Sequence, residues 1–76
     1  MRAYVLIQTG PGQSTRIGAD ITQVKGVIAV SALAGPYDVI AEAEARSLDD
    51  LTGHILRPIQ PLAGVNRTLT CPVVSL

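Results

Sequence analysis

The sequence predicts an α+β domain in which a four-stranded antiparallel sheet carries two helices on one face. Three observations carry that expectation. β-like and helix-periodic segments follow one another in the order strand, helix, strand, strand, helix, strand. Gly35-Pro36-Tyr37-Asp38 separates the two central β-like runs with turn chemistry and folds them into a hairpin. Each half joins its helix to the next strand through the same junction, Lys25-Gly26-Val27 and then Ala63-Gly64-Val65, a weak internal repeat.

The first strand is expected over residues 3–9, rich in β-formers and stopped by Gly10-Pro11-Gly12. In the first helix Ile17, Ile21 and Val24 recur at helical spacing, and Gly26 is expected to cap its C-terminus. Gly18 weakens that helix by about 1 kcal/mol relative to alanine. Residues 27–34 form an apolar run broken only by Ser31. Residues 38–45 alternate Val39, Ala41, Ala43 and Ala45 against Asp38, Ile40, Glu42 and Glu44. Ser47 and Asp50 resemble a capping box, after which Leu48, Leu51, Ile55 and Ile59 trace one face of a second helix. Pro58 lacks an N–H and is expected to end or kink it. Residues 65–74 read as the last strand, with Pro72 tolerable only near its end or on a sheet edge. The whole is the ferredoxin-like βαββαβ arrangement in a single domain, residues 1–76.

Two helices can cover only one face of such a sheet. Val27, Ala29 and Leu33 alternate with Ile28, Val30 and Ala32, which makes the second strand apolar on both sides. A symmetric dimer packed sheet against sheet covers the remaining face. Composition points the same way. A chain of 76 residues has little core, the single Cys71 excludes internal disulfides, and 47% of the residues are hydrophobic. A homo-oligomer is expected.

Several function classes are disfavoured. The formal charge is zero and the basic residues are scattered singly, with only two Tyr for stacking, so direct nucleic-acid binding is not expected. No apolar run approaches the ~20 residues that span a bilayer, and a cytoplasmic protein is expected. Gly10-Pro11-Gly12-Gln13-Ser14-Thr15 precedes a helix but lacks the spacing of a phosphate-binding loop. His54 is the only histidine and reads as surface, with Asp49 and Asp50 complementing the helix dipole. Glu42 and Glu44 share a strand face without His or Cys beside them, and Cys71 has no activating neighbour. No metal, no cofactor and no catalytic residue is expected.

Gly35-Pro36-Tyr37-Asp38 stands apart, because turn chemistry alone does not call for Tyr followed by Asp at the start of a strand. An α-amino acid carries an ammonium and a carboxylate a few ångströms apart. Asp38 suits the ammonium, while the backbone around Gly35 and the hydroxyls of Thr68 and Thr70 suit the carboxylate.

These segments resemble the effector-binding (RAM) domain of the Lrp/AsnC transcriptional regulators. The resemblance runs through Tyr4-Val5-Leu6-Ile7, Val24-Lys25-Gly26-Val27, Gly35-x-Tyr37-Asp38, the helix from Leu48, and Gly64-Val65 leading to Thr68-x-Thr70. It implies dimers through the sheets, octameric rings, and amino-acid effectors held between subunits near the turn, with Gly35, Tyr37 and Asp38 matching the family motif and Thr68 and Thr70 its strand hydroxyls. Family regulators carry a helix-turn-helix domain ahead of this one, and this chain begins almost at the first strand, so a stand-alone domain without a DNA reader is expected.

The expected function is amino-acid sensing that modulates oligomer assembly or a full-length Lrp/AsnC-type regulator. Two other readings remain open at this stage. One is an assembly subunit that forms mixed oligomers without ligand. The other is a small dimeric α/β-barrel enzyme, for which His54 and few aromatics are poor equipment.

Overall fold

The computed structural model describes residues 1–75. Strand β1 (Arg2–Thr9) lies between β3 (Val39–Glu44) and β4 (Val65–Pro72), and β2 (Val27–Ala32) pairs with the far side of β3, giving the sheet order β2-β3-β1-β4. All three pairings are antiparallel. Helix α1 (Ser14–Thr22) and a second helical segment, residues 48–59, cover one face. This is the ferredoxin-like α+β fold that the element order requires.

Alternation along the strands builds the core. Ala3, Val5 and Ile7 of β1 and Val39, Ala41 and Ala43 of β3 point under the helices, where Ile17, Ile21, Leu51, Ile55 and Ile59 meet them. The alanines leave room for the branched helix side chains. Each isoleucine buried this way contributes about 1.5–3 kcal/mol.

The repeated glycine junctions close the two halves on each other. Gly26 and Gly64 have φ of +102° and +96°, a left-handed backbone that L side chains rarely adopt. A Cβ at Gly26 would lie 3.0 Å from Ile55 Cδ1, and one at Gly64 would lie 3.0 Å from Ile17 Cδ1. Each junction therefore sits beneath an isoleucine of the other half's helix. Gly26 does not cap α1, as the spacing suggested: the helix ends at Thr22 with Gln23 as its cap, and Gly26 instead turns the chain into β2.

The second helix differs from expectation at Pro58. Ser47 caps it by accepting the Asp50 N–H at 3.1 Å, worth about 1 kcal/mol, while the Asp50 carboxylate reaches back to the Arg46 N–H at 2.8 Å. One turn of α-helix (Leu48–Asp50) then widens into a π-helical stretch (Leu51–Leu56) before α geometry returns at Arg57–Ile59. Arg57 N–H donates to Thr52 five residues back. Wider winding absorbs the N–H that Pro58 lacks, so the helix runs through the proline and keeps Leu51, Ile55 and Ile59 buried.

Strand β2 also departs from simple alternation. A register shift between Val27 and Ala29 puts Val27, Val30 and Ala32 opposite the buried Ala43, Ala41 and Val39. Ala29 and Ser31 consequently share the open face. That face carries a row in register across the sheet, Ser31, Ile40, Leu6 and Leu69, and Leu69 is 46% exposed. Next to it runs Ala29, Glu42, Tyr4 and Cys71. Pro72 is the last residue of β4, an edge strand, which satisfies both conditions for a proline there.

Candidate functional site

The hairpin between β2 and β3 closes where Leu33 N–H donates to the Asp38 carbonyl at 2.8 Å, leaving residues 34–37 as the loop. Asp38 fixes that loop to β1. Its N–H donates to the Ile7 carbonyl at 2.9 Å, and its Oδ2 accepts the Thr9 N–H at 2.8 Å. Thr9 is the last residue of β1, past the end of β3, so the carboxylate supplies the acceptor that a strand partner would have given. Gln8 adds a second tie, from its Nε2 to the Pro36 carbonyl at 3.3 Å.

What remains of the turn is chemically open. Asp38 Oδ1 makes no hydrogen bond among the described residues, and neither do the backbone N–H groups of Gly35 and Tyr37. Gly35 and Pro36 are exposed, and Tyr37 and Asp38 are half-buried. A Cβ at Gly35 would meet nothing within 4 Å, and its φ is not left-handed. The turn thus carries an unengaged carboxylate oxygen and two unengaged N–H donors within four residues.

Thr68 and Thr70 pair with Ile7 and Val5, so both threonines point toward the helix side of the sheet. Thr68 Oγ1 accepts from Gln60 Nε2 at 3.4 Å, just beyond the second helix. Asp38 and Thr68 therefore flank β1 on opposite sides of Ile7. Two strand spacings separate them, about 10 Å, with β1 between. The structure brings Gly35, Pro36, Tyr37 and Asp38 together and sets Thr68 and Thr70 apart from them within one chain.

At the opposite end of β3 stands a cluster of charges. His54 Nδ1 lies 2.6 Å from Asp50 Oδ1, with Arg46 Nη2 3.7 Å from the same oxygen. The Arg46 N–H first, and then His54 and the Arg46 guanidinium, hold the Asp50 carboxyl below its ordinary range, partly opposed by desolvation. Sequence reading gave Asp50 to the capping box and the helix dipole. The i, i+4 spacing of Asp50 and His54 was the available signal for the pair. Glu42 and Glu44 pair with Arg2 at 3.1 and 3.4 Å along one sheet face. Cys71 is exposed and free. Among the described residues no group of three His, Cys, Asp or Glu could hold a metal ion, and no helix is long and apolar enough to cross a membrane.

The fold and the family model together define a small ligand-binding domain. The model of the Lrp/AsnC ligand-binding domain matches residues 2–76, and the chain belongs to that family. TTHA0845 from Thermus thermophilus shares 28% identity and superposes with a TM-score of 0.91, over 99% of this chain and 94% of that one. FFRP-DM1 gives 23% identity and a TM-score of 0.88, over 96% of this chain and 97% of that one. Escherichia coli AsnC has the same fold at 18% identity and a TM-score of 0.89; this chain is covered over 99% of its length and spans 51% of AsnC. Among curated proteins none matches the sequence.

Proposed function

We propose that the domain binds an amino-acid effector between subunits at the Gly35–Asp38 turn, and that binding shifts its assembly or its engagement of a full-length Lrp/AsnC-type regulator. One observation carries the reading. Asp38 offers an unengaged carboxylate oxygen beside the unbonded N–H groups of Gly35 and Tyr37, which matches the ammonium and carboxylate of a zwitterion. Pro36 and Tyr37 form the adjoining wall. Thr68 and Thr70 sit across Ile7 from Asp38, so a ligand touching both groups draws them from neighbouring subunits.

The open sheet face supports the oligomer this requires. Its apolar row of Ile40, Leu6 and Leu69 lies on one self-complementary surface, suited to a two-fold dimer, with further association into an octamer bringing turns and threonines together. The effector acts by linkage: it favours the assembly it binds better, by that difference in affinity and no more. The reading involves no catalytic step, cofactor or metal, and assigns the protein to the cytoplasm.

Asp38→Asn separates the two roles of Asp38. The amide oxygen still accepts the Thr9 N–H while the charge is lost. Calorimetric titration with amino acids is expected to show binding to the wild type and at least a tenfold loss in this variant, with an unchanged melting temperature. Equal affinity in both proteins would sink the site assignment.

A further inference from the structure

We infer that Arg67 reads the side chain of the effector, and that the domain prefers an amino acid with a second carboxylate, aspartate or glutamate. The inference rests on amino-acid binding at the turn and concerns the edge where the open sheet face meets that turn. Gln8 lies two residues beyond Leu6 and Arg67 two residues before Leu69, so both stand on the open face with those leucines. Gln8 and Arg67 pair across β1 and β4. On its other side Gln8 donates from Nε2 to the Pro36 carbonyl at 3.3 Å. One glutamine therefore separates the motif turn from Arg67. Neighbouring strands lie about 5 Å apart, less than an extended arginine side chain spans, so Arg67 is long enough to pass over Gln8 toward the turn.

Charge selects the ligand. Arg2, Arg16 and Arg46 each pair with an acid of the chain, whereas the exposed Arg67 makes no ion pair and no hydrogen bond among the described residues. The next row along the face, Ile40, Leu6 and Leu69, is uncharged, and Glu42 in the row beyond is held by Arg2 at 3.1 Å. At the turn Asp38 keeps one carboxylate oxygen on the Thr9 N–H and offers the other to the ammonium, while the Gly35 and Tyr37 N–H groups match the α-carboxylate. An effector with a neutral side chain leaves Arg67 without a partner. A second carboxylate, one or two methylenes out, gives the guanidinium a planar bidentate acceptor, and a cationic side chain is repelled.

Calorimetric titrations of L-glutamate, L-aspartate, L-glutamine, L-leucine and L-lysine into wild type, Arg67→Gln, Arg67→Lys and Asp38→Asn test the assignment. The wild type is expected to bind glutamate or aspartate at least tenfold more tightly than glutamine. Arg67→Gln should erase that preference while leaving the affinity for glutamine and the melting temperature unchanged, and Arg67→Lys, which keeps the charge, should retain most of it. Asp38→Asn should weaken every amino acid alike. Glutamine or leucine binding the wild type as tightly as the acids overturns the inference and leaves the turn site standing. An equal loss of glutamate and glutamine in Arg67→Gln does the same, since Arg67 would then act on the turn itself and not on the side chain. Absence of binding by any amino acid removes both readings.

Discussion

The molecule uses glycine for opposite purposes at its two kinds of turn. At Gly26 and Gly64 the backbone is left-handed and an isoleucine tip stands where a Cβ would go. At Gly35 the backbone is ordinary and the space above it is empty. The first pair is demanded by the fold of a single chain. Gly35 has no neighbour among the described residues that requires a glycine, so the space above it is open.

Substitutions can break this contrast, and the largest effect is expected at Gly26. A methyl group there meets Ile55 at 3.0 Å and the rigid Glu44 carbonyl at 3.2 Å in a left-handed backbone. Gly26→Ala should cost about 3 kcal/mol or more, read as a fall of more than about 10 °C in thermal melting. Gly64→Ala faces the movable tips of Ile17 and Arg16, with only the Gln13 Cβ at 3.2 Å tied to its backbone, and should cost about 2 kcal/mol by the same measurement. An equal loss at both positions would mean that backbone strain alone sets the effect.

Asp38→Ala comes next. Leaving the half-buried Thr9 N–H without its acceptor should cost about 1 kcal/mol in denaturant unfolding, together with loss of effector binding. A smaller effect concerns Asp50, whose carboxyl titrates below its ordinary value of 3.8 in the folded chain. Its contribution is fully present above that value and is lost as pH falls through the lower folded value. Melting temperature should therefore drop more steeply below about pH 4 in the wild type than in Asp50→Asn, and parallel curves would contradict the assignment. Gly35→Ala is expected to change stability least, by less than about 0.5 kcal/mol.

Much of the fold was legible because patterns of period two and 3.6 survive in a small core: Val39, Ala41 and Ala43 alternate, and Ile17 and Ile21 recur, as their buried positions require. What escaped depended on backbone detail that periodicity cannot carry. A bulge beside Ile28 shifted which β2 side chains share a face, and a π-helical stretch carried the second helix through Pro58. The hairpin turn was legible from its Gly35-Pro36 chemistry; that the Asp38 carboxylate also ties the loop to Thr9 was not, because that contact is long-range. The separation of Thr68 from Asp38 was not legible either, because it depends on β1 lying between β3 and β4, a long-range pairing with no local signature.

Whether the open turn at Gly35 receives an amino acid is decided by a thermal-shift panel of the common amino acids at millimolar concentration, run on wild type and Gly35→Ala together. Ligand at a hundredfold excess over Kd stabilises by about 2.7 kcal/mol, several degrees in a domain of this size. One chemical class is expected to raise the wild-type melting temperature and to leave the equally stable Gly35→Ala variant unmoved. A flat panel on folded wild type, or the same rise in both proteins, would contradict amino-acid binding at the turn.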